Sequence, residues 1–465
     1  MQVEQTNRRS ALPLLGRVTC PHCWHDYAPQ QTLWIAEHPE LAGDPRLGND
    51  QQSRFLPTRF DVSGAALDAR GFPCHSLACP RCHLGVPRPL FEMRPLFLSI
   101  LGAPACGKSY FLASMTWRLR RALPRQFALS FSDADAVSNL RLQEYESMQF
   151  LNPNQDALTA IEKTQTHGDL YDTVLYGDQS VTYPRPFLFT VAPLEQHPNF
   201  ASAAKMSHVL CLYDNAGESF LPGQDTAASP VTRHLAISRA LLFLFDPTQD
   251  MRFRRACQGK TNDPQMRDRQ ERLERERPVR QETVLLEAAQ RIRGQSGLGQ
   301  QQKHARPLIV VVTKYDCWSG LLDGGQLPAP WVPIEASGRC AMQLDVVERR
   351  SQQVRALLWR HTPEFVSAAE SFAEQVIYIP VSATGCSPEV DPHTGALGVR
   401  PKDIRPMWVE TPLLYAMARW MPGLIPHLKP GPLHHDDRVN AVLRTAMAAA
   451  DSGDEDERSR EGAPA

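Results

Sequence analysis

The sequence lacks a long apolar run, an excess of charge of either sign and a repeat of fixed period. Its longest apolar runs, such as residues 240–245, fall far short of the roughly 18 residues that a membrane helix needs. Residues 1–16 contain no apolar stretch adequate for a secretory signal. Lys and Arg number 50 and Asp and Glu number 51, so no global field favours nucleic acid. These absences predict a soluble cytoplasmic protein with no membrane partner.

The composition is that of a globular chain with more than one unit. Apolar residues make up 42% of the 465 residues and charged residues 22%, which is enough for a core and excludes disorder throughout. At roughly 150 residues a domain, the length allows about three units. Five of the 11 cysteines lie in the first 82 residues, mostly as C-x-x-C pairs. That pattern favours metal binding in a reducing compartment over disulfides.

Two C-P-x-C sequences predict a zinc site in an N-terminal module over residues 1–90. Cys20 and Cys23 form one knuckle and Cys79 and Cys82 the other, so four thiolates can converge on one tetrahedral Zn²⁺. The long separation of the pairs predicts a zinc ribbon with an insertion. Other residues could replace a ligand: Cys74, His75, His22 and His25. A redox dithiol is the alternative interpretation of either pair.

The rest of the chain alternates apolar runs with helical stretches, which predicts an α/β domain with a mostly parallel sheet. The predicted strands are residues 96–101, 187–191, 209–213, 241–245, 308–312 and 376–381. The predicted helices include residues 109–121, closed by Pro124, and residues 284–293, 344–359 and 412–420. We place this domain at residues 91–425, with insertions at about 125–185 and 250–305. Residues 426–465 form an acidic tail predicted to be disordered.

Residues 102–109 fit the phosphate-binding pattern G-x-x-x-x-G-K-[ST] between a predicted strand and a predicted helix. Gly102 and Gly107 allow a tight turn whose N–H groups converge on an anion. Lys108 can reach the β- and γ-phosphates, and the Ser109 hydroxyl can ligate Mg²⁺. The neighbouring residues expected to contact the nucleotide are Ala105, Cys106 and Tyr110.

Three later sequences, each at a predicted strand end, extend this site. In D-x-x-G, Asp214 can hold Mg²⁺ through water and the Gly217 N–H can contact the γ-phosphate. In T-K-x-D, the Asp316 carboxylate can accept two hydrogen bonds from guanine, which adenine cannot supply. Thr313 and Lys314 complete that sequence, with the lysine stem packing over the base. Ser382 and Ala383 place a backbone N–H near the guanine oxygen.

Taken in order, these four elements resemble the P-loop GTPases of the translation-factor-related (TRAFAC) class, over about residues 96–422. The resemblance implies a Ras-like fold with helices on both sheet faces, binding of GTP and GDP, and hydrolysis that depends on Mg²⁺. The long segments between motifs and the zinc-type module resemble the double-GTPase proteins of bacterial conflict systems. That resemblance implies action beside partner proteins, including another GTPase chain.

The sequence departs from the GTPase pattern at two positions and leaves one open. Glu218 stands where many members have a glutamine that orients water, so hydrolysis is expected to be slow or partner-dependent. Thr313 replaces the usual asparagine. Thr164 is our choice for the switch threonine on Mg²⁺, with Thr166 and Thr173 as alternatives. The predicted function is a GTP-hydrolysing switch; the alternatives are a scaffold that binds nucleotide without turnover and a zinc-ribbon ATPase acting near nucleic acid.

Overall fold

A seven-stranded sheet forms the centre of the protein in the computed structural model, which describes residues 13–161, 171–214, 233–266, 280–322, 325–334 and 338–428. Its strands are β1 (Arg94–Gly102), β2 (Leu129–Asp133), β3 (Phe187–Pro193), β4 (His208–Asp214), β5 (Ala240–Phe245), β6 (Leu308–Val312) and β7 (Val376–Pro380). They lie in the order β2-β3-β4-β1-β5-β6-β7. Each predicted apolar run lies in one of these strands, because burial on both faces requires continuous apolar sequence.

The sheet is mixed rather than all parallel. Strands β4, β1, β5, β6 and β7 pair in parallel along the sheet. Strand β3 runs antiparallel to both of its neighbours, β2 and β4. Antiparallel neighbours can be joined by a short link, whereas parallel neighbours need a crossover. Residues 194–207, which contain two short helical segments, connect β3 to β4 without a crossover. Crossover connections join the parallel strands on the other side of β1.

Helices cover both faces of the sheet, as the α/β prediction required. The α-helices of the described residues are α1 (Lys108–Phe127), α2 (Leu140–Phe150), α3 (Ala203–Met206), α4 (Arg233–Ile237), α5 (Met251–Cys257), α6 (Gln281–Ser296), α7 (Tyr315–Trp318), α8 (Leu344–His361), α9 (Pro363–Phe372) and α10 (Thr411–Trp420). One core cluster joins α1 and α10 to the sheet, and a second joins α6 and α9 to the opposite face.

Helix α1 runs past Pro124, so the prediction that this proline closes it is wrong. Pro124 lies inside the helix, which ends at Phe127 and is followed by Ala128 in the left-handed conformation. A proline removes one helical hydrogen bond. Here Leu123 and Phe127 are fully buried in the core on either side of it. Their packing outweighs the loss and carries the helix through another turn.

The segment predicted as a long connection, residues 125–185, contains regular structure. It supplies β2, α2 and an antiparallel hairpin made of Tyr171–Tyr176 and Gln179–Pro184. Strand β2 reads Leu-Ser-Phe-Ser-Asp, and its leucine and phenylalanine are buried. This alternation, rather than a continuous apolar run, is the pattern of a strand near the sheet edge.

Residues 13–91 form short strand pairs rather than a layered core of their own. Three strands, Arg54–Phe55, Leu33–Ile35 and Leu77–Ala78, form one small sheet. The two-stranded pairs there are Val18–Thr19 with Asp26–Tyr27, Ala42–Asp44 with Gly48–Gln52, and Ala66–Leu67 with Pro73–Cys74. Later in the chain Trp331–Ile334 pairs with Arg339–Met342, and Glu389–Val390 with Leu397–Gly398. No helix in the described ranges is long and apolar enough to cross a membrane.

Candidate functional site

The loop from Gly102 to Lys108 joins the carboxyl end of β1 to the first residue of α1. A Cβ added to Gly102 would lie 2.7 Å from the Cys106 sulfur and 2.9 Å from the Leu244 carbonyl oxygen, so only glycine permits this approach. Gly107 has a φ of 89°, in the left-handed region that favours glycine. The local geometry therefore requires both glycines of the predicted motif.

Lys108 begins α1 and turns its ammonium group back over this loop. Its Nζ donates to the carbonyl oxygens of Gly102 and Ala103, each at 3.2 Å, and the residue is only 6% exposed. Ser109, the next residue, is also buried. The positive end of the α1 dipole lies at the same place. A lysine, a helix amino end and a tight loop together make a surface suited to an anion.

Two buried aspartates follow the ends of the strands on either side of β1. Asp214 ends β4, where it pairs in register with Ile100. Asp246 follows β5, and its Oδ1 accepts from the Thr248 N–H at 2.9 Å and from the Thr248 hydroxyl at 2.7 Å. Sequence reasoning missed Asp246. The signal was present, because Asp246 follows an apolar strand in the same way that Asp214 ends one.

The T-K-x-D sequence follows β6, where Lys314 adopts a left-handed backbone with a φ of 57°. Its Nζ donates to Asp246 Oδ2 at 2.7 Å, to the Thr248 hydroxyl at 2.9 Å and to Gln265 Oε1 at 2.7 Å. Burial by itself lowers the pKa of Lys314, but the Asp246 carboxylate outweighs it and raises the pKa above its ordinary value. The ammonium group is therefore held in a fixed position, and the stem of the side chain lies beside the site.

The last two motifs meet through a hydrogen bond between side chains 66 residues apart. The Ser382 hydroxyl donates to Asp316 Oδ1 at 2.5 Å and accepts from the Gly385 N–H at 2.7 Å. Burial raises the pKa of Asp316, although the Ser382 hydrogen bond acts in the opposite direction. The Ala383 carbonyl oxygen accepts from the Ser114 hydroxyl of α1 at 2.7 Å. This loop is thus fixed both to T-K-x-D and to the helix after the 102–109 loop.

Asp263 is a buried carboxylate beside the partly buried Asp316, and no sequence motif pointed to it. It is 1% exposed, and its Oδ1 accepts from the Gln265 N–H at 2.7 Å. Ligand atoms of Asp263, Asp316 and Cys317 lie within 4.8 Å of one another. Burial raises the pKa of Asp263 as well. Asp263 and Gln265 belong to the predicted insertion at about 250–305, which is rich in arginine over residues 252–280. Met266 packs into the core three residues after Asp263 and anchors this part of the insertion against the site.

A cavity of about 230 Å³ lies between these segments. Of the residues predicted to bind nucleotide, the lining includes Ala105, Cys106, Gly107, Tyr110, Thr313, Lys314, Asp316, Ser382 and Ala383. The motif residues Gly102, Lys108, Ser109 and Asp214 lie outside that lining. Thr384, the last residue of the Ser-Ala-Thr sequence at residues 382–384, also lines the cavity. Lining residues that sequence reasoning did not name include Asp263, Gln265, Cys386, Pro388 and Leu397. The cavity therefore joins the middle of the 102–109 loop to the T-K-x-D and Ser-Ala-Thr loops.

Several predicted residues fall outside the described ranges. These are Gly217, Glu218 and Thr164, together with the alternative Thr166. The other alternative, Thr173, is exposed in the strand Tyr171–Tyr176. The assignment of a switch threonine and of a residue that orients water stays a prediction.

The two cysteine pairs meet in one buried cluster. Sulfur atoms lie 3.7 Å apart between Cys20 and Cys82 and between Cys23 and Cys79, and all four lie within 4.8 Å of one another. Tetrahedral Zn²⁺ with bonds of about 2.3 Å would separate its sulfur ligands by about 3.8 Å. Four soft donors at this spacing fit a structural zinc ion.

The two knuckles have the same backbone structure. In each, the N–H of the first cysteine donates to the carbonyl oxygen five residues later, at 3.0 Å. The residue after the second cysteine is left-handed in both, with a φ of 56° at Trp24 and 63° at His83. The N–H groups of His22 and Arg81 each donate to a cysteine sulfur at 3.4 Å. This repeated turn aims both thiols of a pair at one point.

The alternative ligands named from the sequence lie apart from the four-cysteine cluster. The Cys74 thiol donates to a backbone carbonyl at 3.5 Å, and His22 Nε2 lies 3.0 Å from another backbone carbonyl. His25 stacks on a neighbouring tyrosine at 6.1 Å, and His75 is exposed. Four cysteines alone therefore make up the candidate zinc site in the described part of the chain.

No protein-family model matches the chain. A stretch of 249 residues, 49% of the chain, is 24% identical to SaeC of Mycolicibacterium smegmatis, which is named as an ESX-1 scaffolding and assembly protein. The match covers 57% of that protein, so the chain spans little more than half the length of this relative.

Proposed function

We propose that the chain binds GTP with Mg²⁺ and hydrolyses it, slowly or with help from a partner, as a molecular switch of the P-loop GTPase type. One observation carries the proposal: the 102–109 loop, T-K-x-D and the Ser-Ala-Thr loop line one cavity. The three segments are far apart in the sequence, and each was predicted to contact a different part of one nucleotide. Their meeting around a single cavity supports a common ligand.

Asp316 selects the base in this proposal. A carboxylate accepts from the N1–H and the exocyclic amine of guanine, whereas adenine would leave it buried without that pair of donors. Ser382 already orients one of its oxygens. Asp246 fixes the ammonium group of Lys314, so the lysine stem can pack over the base. Asp263 adds a further acceptor to the same cavity.

Lys108 binds the β- and γ-phosphates in this proposal and stabilises the charge that develops on the transferred phosphoryl group. Its present partners include two neutral carbonyl oxygens, which are weaker acceptors than a phosphate oxygen. The Ser109 hydroxyl and the Asp214 carboxylate are oxygen donors of the kind that Mg²⁺ prefers. When bound, Mg²⁺ would neutralise charge on the phosphates.

Hydrolysis itself is assigned to Gly217 and Glu218. The Gly217 N–H would report the γ-phosphate, and Glu218 would orient the attacking water. A carboxylate beside a γ-phosphate is repelled by it, so we expect slow turnover until a partner corrects the arrangement. The proposed partners are proteins, including a second GTPase chain.

A second candidate function is a nucleotide-binding scaffold without turnover. The name of the M. smegmatis relative, a scaffolding and assembly protein, favours it. In this reading Glu218 marks a lost catalytic position, and GTP fixes a conformation that partner proteins bind. Both functions need the same guanine site and differ only in phosphate release.

The test is titration of the purified full chain with fluorescent GTP and ATP in Mg²⁺, together with an assay of phosphate release. We expect GTP binding that Lys108→Ala and Asp316→Ala each weaken at least about 30-fold, because each removes a charged contact. The matched controls are Lys205→Ala and Asp50→Ala, whose side chains are exposed away from the cavity. These controls should bind GTP as the wild type does.

The outcomes separate the candidates. Phosphate release that Lys108→Ala abolishes supports the switch, and GTP binding without release supports the scaffold. ATP binding equal to GTP binding, and unchanged by Asp316→Ala, would overturn the guanine site and favour an ATPase.

A further inference from the structure

Tyr213 connects the first cysteine knuckle to the end of β4. It is fully buried and directly precedes Asp214, the proposed Mg²⁺ residue. Its hydroxyl donates to the Pro21 carbonyl oxygen at 2.5 Å and accepts from Trp24 Nε1 at 3.0 Å. Pro21 lies between Cys20 and Cys23, and Trp24 follows them. Both hydrogen bonds of the tyrosine hydroxyl therefore go to the knuckle.

His234 contacts the same place from further along the chain. Its ring stacks on Tyr213 at 4.4 Å and lies 6.0 Å from the Trp24 ring. It is fully buried, and its Nδ1 lies 2.5 Å from the Ser99 hydroxyl of β1. The segment that carries Gly217 and Glu218 runs between Tyr213 and His234. Tyr213 before that segment and His234 after it therefore both contact the first cysteine knuckle.

The knuckle belongs to the same apolar cluster as the sheet face behind Asp214. That cluster contains the four cysteines, Trp24 and Tyr27 together with Phe97 of β1 and Val209, Cys211 and Tyr213 of β4. A phenylalanine would fill the place of Tyr213 equally well in apolar packing. A buried hydroxyl is costly unless it is hydrogen-bonded, so its two bonds fix the orientation of the knuckle on this strand.

We propose that Tyr213 is a positioning residue through which the Cys20–Cys23 knuckle holds Asp214 in place for Mg²⁺-dependent nucleotide binding. The inference rests on the proposed function and adds regulation to it: the state of the cysteine module sets the affinity of the Mg²⁺–nucleotide complex. Tyr213 and Asp214 point to opposite faces of β4, as successive strand residues do. A displacement of the Cys20–Cys23 knuckle that moves Tyr213 would therefore also move Asp214 on the opposite face of the strand.

The test compares nucleotide affinity in Mg²⁺ with affinity in EDTA, using fluorescent GDP and GTP on the full chain. Tyr213→Phe removes both knuckle hydrogen bonds and keeps the ring. We expect it to reduce the enhancement by Mg²⁺ about fivefold, the effect of about one hydrogen bond, with affinity in EDTA unchanged. Tyr415→Phe is the matched control. Tyr415 lies in α10, is equally buried, and its hydroxyl donates to Glu348 of α8 at 2.9 Å.

A merely structural role would lower the melting temperature in both variants and leave the enhancement by Mg²⁺ unchanged in both, which would overturn the inference. Trp24→Phe removes the indole donor together with part of the buried ring, and it gives a second measurement if Tyr213→Phe folds poorly. We expect a smaller loss of the same kind. A wild-type chain that shows no Mg²⁺-dependent GTP binding would overturn the proposed function, and this inference with it. Normal wild-type binding with an unaffected Tyr213→Phe would overturn the inference alone.

Discussion

The cavity and the cysteine cluster both unite distant parts of the chain, but different forces hold them. Around the cavity the polar groups satisfy one another: Lys314 has three oxygen partners, and Ser382 bridges Asp316 and the Gly385 N–H. In the cluster four sulfurs lie within 4.8 Å, and thiolates so close repel one another unless a cation lies between them. In the proposed function the cavity is built before a nucleotide binds, whereas the cluster would depend on a bound metal ion. Loss of a polar contact in the cavity should therefore weaken nucleotide binding. Loss of a cysteine from the cluster should instead destabilise the fold.

The largest expected effect is at the cluster. Cys79→Ser removes one of four thiolates, and we expect the free energy of unfolding to fall on the order of 5 kcal/mol, with loss of bound zinc. Cys74→Ser is the matched control, a buried cysteine of the same module outside the cluster. Metal analysis and urea unfolding of both variants give the comparison. Equal zinc content in the two would contradict the four-cysteine site.

A smaller effect on stability is expected at the loop that carries Ser382. A Cβ at Gly385 would lie 1.8 Å from the Arg405 carbonyl oxygen, and its φ of +70° already disfavours a side chain. We expect Gly385→Ala to cost about 3 kcal/mol in unfolding free energy. Gly395→Ala has a φ of +69° with open space around it and should cost only about 1 kcal/mol. If thermal unfolding showed a similar loss of stability in the Gly385→Ala and Gly395→Ala variants, the loop would be easily deformed. The cavity would then not be preformed.

The smallest expected effect separates the two carboxylates of the cavity. Asp263→Asn keeps an acceptor for the Gln265 N–H and removes the charge. If Asp263 accepts a hydrogen bond from the second N–H of the exocyclic amine of guanine, the preference for GDP over inosine diphosphate should fall about fivefold. Competition against fluorescent GDP measures that ratio. An unchanged ratio would restrict base selection to Asp316. Asp263 would then have only a structural role, as the acceptor for the Gln265 N–H.

The features that could be predicted from the sequence are those that a local residue pattern determines. Continuous apolar runs marked six of the seven strands, and two C-P-x-C pairs marked the cluster. Strand β2 was not predicted because its apolar residues alternate with polar ones. The predicted end of α1 at Pro124 was wrong because the tertiary packing of Leu123 and Phe127 outweighs the lost helical hydrogen bond. The motifs that resemble those of GTPases predicted much of the cavity lining, although binding and hydrolysis themselves stay predictions.

Asp263 and Gln265 could not be predicted in the same way. They belong to no motif and sit in an Arg-rich stretch whose composition suggests a solvated surface. The hydrogen bond between Gln265 and Lys314 joins residues 49 positions apart. It depends on the tertiary position of the insertion, which no local sequence pattern reveals. Asp246 is the intermediate case, because its place after an apolar strand is readable even though its partner Lys314 is not.

The shared cluster of the knuckles and the sheet also sets an order of assembly. The two knuckles precede the whole sheet in the chain, so during synthesis they can take up metal before β4 has been made. Until then Trp24 and its apolar neighbours have no sheet face to cover them. Such contacts between distant segments close late in folding and leave apolar surface open to other chains meanwhile. A knuckle that takes up metal before the sheet is complete would therefore acquire its local shape well before it is buried.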